Sequence, residues 1–336
     1  MSHDAAVSPD KIMVHGFAFA PGQVILSAVE LGVFEGIHQG HPTSDDLARH
    51  LGADPRGVRI LLNALVGIEL LEKVGDRYGC TPVSETYLVP GAPAYLGDSL
   101  LHNKAVRESW SHLTEVVKTG QPWRNPERAK DLGKHLGHLV KGLYLRNYQT
   151  ARELARRLGA GDKLKGLRIL DVGAGSGAWS IPLAEADASA RVTAVDLAPV
   201  IPTTQEFVAR HGLAARYQFR PGNVRELDFG TAEFDLAVLG HICHSEGAGH
   251  APALIQKVGK ALKPGGQIVI ADMIPNDQRT GPPFPLLFAV NMLVNTDQGD
   301  TFTRAEYRAW LKEAGFGEPR ELMTDRDSPI LVATKK

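Results

Sequence analysis

Leu170-Asp171-Val172-Gly173-Ala174-Gly175-Ser176-Gly177-Ala178-Trp179, LDVGAGSGAW, ends an apolar run begun at Leu167 with three glycines spaced by two. A short apolar run stopped by glycine reads as a buried strand, and the amphipathic stretch behind it as a helix. Glycine lets the backbone take positive φ and approach a ligand, while the first N–H groups of a helix lack intrahelical partners. This turn is therefore a binding element. Outward from it the alternation repeats: RVTAVDLA (191–198), RYQFRPGN (216–223), FDLAVLGH (234–241) and GQIVIADM (266–273) are short apolar runs separated by helical stretches. The pattern predicts an α/β domain with a doubly wound, Rossmann-like parallel sheet and helices on both faces. Such sheets bind ligands beyond the carboxyl ends of their strands. Asp171, Asp196, Asn223, His241 and Asp272 all fall at or just past those ends.

Gly173-x-Gly175-x-x-Ala178 also satisfies the loose dinucleotide pattern, so a nicotinamide or flavin enzyme is a competing reading. Two carboxylates tilt the choice. Asp171 lies where a dinucleotide would place its anionic pyrophosphate and suits a cation better. S-adenosylmethionine carries a sulfonium and an ammonium and no phosphate. Asp196 closes the next strand, 19 residues after Gly177, where a carboxylate can accept both ribose hydroxyls. Asn223, at the end of the third strand, can offer amide contacts to adenine.

A chain of 336 residues favours two folded units. Lys plus Arg (37) nearly balances Asp plus Glu (38), which implies neither nucleic acid nor an anionic membrane as partner. The N-terminus has no signal-peptide core, and we expect no window apolar enough to span a membrane. Cys80 and Cys243, far apart and without metal-ligand spacing, suit a reducing compartment. A cytoplasmic enzyme is expected.

Residues 1–97 read as helices followed by a hairpin. QVILSAVELGVFEGI (23–37) has helical spacing; TSDDLARHLG (43–52) opens on a capping residue; DPRGVRILLNALVGIELL (54–71) starts with Asp54-Pro55, an N-cap and a first helical residue. LEKVGDRYGCTPV (71–83) sets Gly75-Asp76 between two short strands. This is the outline of a winged helix, a fold that often binds DNA. Charge opposes that role: six Lys or Arg against eleven Asp or Glu through Gly97 give 6 − 11 = −5, whereas DNA affinity rests on cations meeting phosphates. Residues 98–165 form a basic helical connector, and 166–336 the cofactor-binding domain.

ILDVGAGSG (169–177), VTAVDLA, RPGNVREL (220–227) and ALKPGGQIVIAD (261–272), in this order, resemble the class I S-adenosylmethionine-dependent methyltransferases. ELGVFEGI (30–37), SDDLARHLG, LLNALVGIELLEK (61–73) and YGCTPVSETYL (78–88) resemble the winged-helix dimerisation domain of small-molecule O-methyltransferases. The resemblance spans about residues 12 to 334. It implies a seven-stranded sheet whose last strand, near SPILVATKK (328–336), runs antiparallel, and a homodimer through the N-terminal domain. It places Asp171, Gly173, Gly175, Gly177, Asp196, Leu197, Asn223, Val224 and His241 around the cofactor. Members often carry Asp at the position of Asn223, and HICHSEGAGH (241–250) replaces their His-Asp-Trp. Register sets His244 on the catalytic histidine.

Methyl transfer to oxygen needs alignment and a base. A phenol of pKa near 10 is a poor nucleophile at neutral pH, and a histidine can take its proton. His244 is the candidate base, with His241 lining the cofactor or orienting its neighbour. A metal on His241, Cys243 and His244 is disfavoured, because adjacent residues rarely converge on one ion. PFPLLFAVNMLVNTDQGDTFT (283–303) is apolar with scattered polar residues, which suits an aromatic acceptor; Phe288, Asn291, Met292 and Asn295 are candidate contacts there, and His102 and Asn103 in SLLHNKAVRESW (99–110) by resemblance. An aromatic or polyketide-like O-acceptor leads. C- or N-methylation is the alternative, and a cofactor-sensing winged-helix regulator a distant one.

Overall fold

Capping side chains fix the helices of the N-terminal unit. Thr43 Oγ1 accepts the Asp46 N–H (3.3 Å), and Asp54 Oδ1 accepts the Gly57 N–H (2.8 Å) with Pro55 behind it; both satisfy donors that a helix start leaves orphaned. The computed structural model describes residues 7–123, 132–322 and 328–336, the side chains of 98, 102, 103, 105 and 132–139 excepted. It divides into two compact units, residues 1–104 and 105–336.

In the first unit, helices Val33–His38, Ser44–Leu51 and Pro55–Gly67 precede a hairpin of β1 (Leu71–Val74) and β2 (Arg77–Cys80). Phe34, Leu47, Leu62 and Leu65 fill its core. The stretch 23–37, expected as one helix, is two. Gly32 takes φ 77° and turns its N–H onto Ala28 and Val29, ending the helix Phe19–Leu31, a left-handed cap that glycine adopts without strain. The third helix likewise stops at Gly67, leaving Leu71 to the hairpin.

The expectation of no membrane-length segment is corrected. Asp10–Leu31 is helical over 22 residues, with a window of mean hydropathy 1.6 that is only 11% buried, so by length and composition it is sufficient to cross a bilayer. Gly16, Pro21, Gly22 and Gln23 interrupt the apolar run, yet its mean hydropathy stays at 1.6. Ile12, Met13, Val14, Phe17 and Phe19 are exposed on it.

The second unit carries a seven-stranded sheet of β3 (Arg168–Val172), β4 (Arg191–Asp196), β5 (Tyr217–Pro221), β6 (Phe234–Gly240), β7 (Leu262–Ala271), β8 (Arg320–Leu322) and β9 (Ile330–Thr334), in the order β5-β4-β3-β6-β7-β9-β8. β3 to β7 are parallel, and β9 is antiparallel to β7 with Val332 opposite Val269. The strand order reverses between β3 and β6, which opens a crevice at their carboxyl ends. Side chains alternate across the sheet. Ile169, Leu236 and Val238 pack with Leu154 and Ala155 of the helix Leu132–Leu158, while Leu170 and Leu239 pack with Leu254 and Val258 of the helix Cys243–Ala261.

Candidate active site

The three glycines of the β3 turn stand at φ 70°, 56° and 74° for Gly173, Gly175 and Gly177, in the region that penalises any Cβ. Space is short as well. A Cβ at Gly173 would come within 3.0 Å of Ile242, and one at Gly175 within 3.3 Å of Val140. The Asp196 carboxylate, at the end of β4, accepts the Gly175 N–H on Oδ2 and the Leu197 N–H on Oδ1, both at 2.7 Å. It thereby aligns the turn, and each oxygen retains acceptor capacity. Burial raises the Asp196 carboxyl, and these two N–H groups oppose the rise.

Asp171 lies buried beneath the turn, where Ser180 Oγ donates to it at 2.5 Å and Tyr217 donates to Ser180 at 3.1 Å. Burial pushes its carboxyl up to about 7. Asn223 Oδ1 accepts the Arg225 N–H at 2.9 Å. Val224 is in the core beside Phe229, and Leu197 is 38% exposed at the tip of β4. These residues fit an adenosyl cofactor with a cationic tail: the turn has no room for side chains, the Asp196 oxygens retain acceptor capacity, and a cation near Asp171 would favour the ionised form that burial opposes.

At the end of β6 the chain turns sharply. His241 stands at φ 60°, its N–H donating to Ala271 and its Nδ1 lying 3.2 Å from Met273 Sδ. The buried Trp179 packs on Gly240, where a Cβ would come within 2.2 Å of the indole, and its ring lies 5.6 Å from that of His241. His244 follows, buried, in the first turn of the helix Cys243–Ala261. Its Nδ1 lies 2.6 Å from Asp272 Oδ1, and its backbone N–H donates to Asp272 Oδ2 at 3.1 Å. Tyr307 O–H donates to the same Oδ2 at 2.9 Å, and the Met273 N–H to Oδ1 at 2.9 Å. Burial alone would raise the Asp272 carboxyl, but His244, then His241 and the Met273 N–H, outweigh it and hold it at about 2. An ionised carboxylate on Nδ1 fixes the Nδ1–H tautomer and leaves Nε2 as the free base.

Ligand atoms of His241, His244 and Asp272 lie within 4.8 Å of one another, a spacing a metal ion could use. Four donors already occupy Asp272, and His244 Nδ1 is spent on it, so the hydrogen-bonded dyad is the better description. A loop steadies it. The Asp300 N–H donates to the His244 carbonyl at 2.9 Å. A Cβ at Gly299 would come within 2.8 Å of that carbonyl, and one at Gly247, where φ 74° breaks the helix, within 2.3 Å of the Gln298 carbonyl.

Phe288, on the helix Pro283–Asn295, meets the His244 ring edge-on at 4.9 Å and 82°. Phe284 lies 6.0 Å further along, 43% exposed, and Met292 is buried. Asn291 Oδ1 accepts Trp110 Nε1 at 3.0 Å and Asn295 Nδ2 at 3.1 Å, so these amides brace the helix. The side chains of His102 and Asn103 lie outside the described residues. The pairing of Asp272 with His244, and the contributions of Tyr307, Trp179 and Phe284, were not foreseen in the sequence. For Asp272 a signal existed, an acid at a strand end, but nothing assigned it to His244.

The model of the O-methyltransferase domain matches residues 138–317, and that of the O-methyltransferase dimerisation domain residues 13–90. The 3-hydroxy-5-methyl-1-naphthoate 3-O-methyltransferase of Streptomyces sahachiroi is 32% identical over 313 residues, 89% of this chain and 86% of that one. The tetracenomycin polyketide synthesis 8-O-methyl transferase of Streptomyces glaucescens is 29% identical over 99% of this chain and 98% of its own. The solved human N-acetylserotonin methyltransferase, in complex with S-adenosylmethionine, shares the fold with a TM-score of 0.82 at 22% identity, covering 100% of this chain and 99% of that one. With both domain models and a turn suited to the adenosyl cofactor in one chain, this protein belongs to the S-adenosylmethionine-dependent small-molecule O-methyltransferases that carry an N-terminal dimerisation domain.

Proposed function

We propose that this enzyme methylates a phenolic hydroxyl of an aromatic, polyketide-like acceptor, with His244 as general base. The observation that carries this reading is the buried His244–Asp272 pair at 2.6 Å, with Phe288 edge-on to the imidazole. Phe288 and Phe284 form the apolar wall against which a planar ring would lie, and Nε2 receives the hydroxyl proton as the oxygen attacks. When bound, S-adenosylmethionine supplies an electrophilic methyl whose transfer removes the sulfonium charge. The naphthoate and tetracenomycin relatives support an aromatic acceptor. Incubation with methyl-labelled cofactor and a panel of hydroxynaphthoates and polycyclic phenols, read by mass spectrometry, tests the assignment: label on oxygen supports it, whereas label on nitrogen or carbon overturns it.

Asp196 takes the ribose hydroxyls in this reading, beside Leu197; Asn223 and Val224 flank the adenine; Asp171 sets the charge beneath the turn; and His241 borders the methyl donor. Asp196→Ala should weaken binding of S-adenosylmethionine and of its demethylated product by about 2–3 kcal/mol in calorimetry. Unchanged affinity would sink the ribose assignment.

Residues 1–97 serve as the dimerising module, 98–165 as a helical connector and 166–336 as the cofactor-binding domain. The apolar face of Asp10–Leu31 is covered by a second copy rather than by lipid, since exposed patches of this kind mark interaction sites and the dimerisation model begins at residue 13. The enzyme then works in the cytoplasm. Sedimentation should show about twice the monomer mass, and Phe17→Asp with Phe19→Asp should yield monomer. A monomeric wild type, or recovery in the membrane fraction, would contradict this.

A further inference from the structure

The mechanism above uses Asp272 as the anchor of His244 and leaves unexplained why a second ionisable group is buried against the far oxygen of that anchor. Tyr307, on the helix Arg304–Glu313, is fully buried. Its ring is packed edge-to-face against Phe302 at 6.1 Å and Trp310 at 5.5 Å, contacts that phenylalanine would make as well. The hydroxyl is what distinguishes tyrosine here. It donates to Asp272 Oδ2 at 2.9 Å, and Cys243, also fully buried and adjacent in sequence to His244, belongs to the same buried cluster. Burying a phenol costs free energy unless its hydroxyl is hydrogen-bonded. The result is a hydrogen-bonded chain from Tyr307 through Asp272 to His244.

We propose that Tyr307 is a positioning residue for the base: its hydroxyl, bonded to Oδ2, sets how strongly Asp272 holds the Nδ1 proton of His244, and so how readily Nε2 accepts one. The proposal rests on the reading of His244 as the base. A donor to Oδ2 disperses the carboxylate charge and weakens its hold on an imidazolium, which keeps the ring neutral to lower pH. Other titratable groups near the ring are accounted for. His241 lies 6.2 Å away ring to ring. Glu246, on the same helix, is paired with Arg225 at 2.7 Å. Asp300, on the loop against the His244 carbonyl, accepts its neighbour Thr301 N–H at 2.7 Å. The helix Pro283–Asn295 meets the ring with Phe288.

Tyr307→Phe and site-specific 3-fluorotyrosine at 307 test this as a pair, since one removes the donor and the other strengthens it while both keep the ring. The His244 imidazole is titrated by NMR in the cofactor-free protein, and turnover is followed against pH in parallel. In Tyr307→Phe the imidazole midpoint and the acid limb of the rate profile should both move up by roughly half a pH unit, with turnover on that limb down by up to about threefold. Cofactor affinity by calorimetry should stay within about twofold, because Tyr307 touches the anchor and not the glycine turn. The fluorinated protein should shift the other way. An imidazole midpoint unchanged in both proteins, or moved in the same direction in both, overturns the proposal. If Tyr307→Phe does not fold, the fluorotyrosine shift decides alone. The imidazole titration is independent of turnover, so a failure of His244 as base, seen as near wild-type activity of His244→Gln, is distinguishable from a failure of this coupling.

Discussion

Turnover of His244→Gln should fall by about 10²–10⁴-fold while binding of S-adenosylmethionine is retained. Glutamine fills a similar volume and can still donate to Asp272, so the buried carboxylate keeps a partner and the fold keeps its anchor. What disappears is the basic nitrogen. In the wild type the rate should rise with pH as the imidazole loses its proton, and this acid limb should vanish in the variant. Stopped assays on the best acceptor from the phenol panel, with calorimetry of the cofactor alongside, separate the two effects. His241→Gln is the comparison. Should it abolish turnover while His244→Gln remains near wild type, the roles are reversed; should both remain active, the acceptor ionises without help and the base reading fails.

Asp272→Asn should be as damaging to turnover, by roughly 10³–10⁴-fold, for a different reason. The amide offers Nδ2–H where the carboxylate offered a lone pair, so His244 must present the unprotonated Nδ1 to it and place its proton on Nε2. The base then faces the acceptor in the wrong tautomer. The Tyr307 hydroxyl and the Met273 N–H also lose a charged acceptor, and leaving buried donors poorly satisfied costs about 1–3 kcal/mol. Thermal unfolding should therefore fall alongside the rate, whereas His244→Gln should leave it near the wild type. An Asp272→Asn protein with wild-type turnover would rule out the dyad.

The reach of sequence reasoning follows the range of the interactions involved. β3, β4, β6 and β7 were legible because each carries an apolar run bounded by glycine or a polar cluster, β5 by its alternation of Tyr217 and Phe219 with Gln218 and Arg220, and the caps at Thr43 and Asp54 are purely local. β8, three residues at the sheet edge with both Arg320 and Glu321 exposed, has no such signature. The break at Gly32 was missed because the apolar spacing continues through it and only the backbone angle reveals the cap. In the site, Asp171 and Asp196 could be singled out from their places at strand ends, whereas His244 came from the register of the family resemblance. The partnership of His244 with Asp272 needs β6 and β7 side by side, with Gly240 opposite Ala271, and strand order is not written in either segment. Tyr307 is further out of reach. It comes from a helix 35 residues beyond Asp272, within a stretch whose aromatic residues read as ordinary core.

The grip of residues 298–300 on the His244 backbone bears on how such an enzyme diversifies. The Gln298 carbonyl sits where a side chain at 247 would go, Gly299 leaves no space for one of its own, and the Asp300 N–H holds the His244 carbonyl. Insertions or deletions in that loop would drag His244 with them. If the acceptor lies against the helix Pro283–Asn295 as proposed, a new acceptor choice should come from exchanging its side chains at constant length, and chimeras with related enzymes should place their junctions before Thr296 or beyond Thr301.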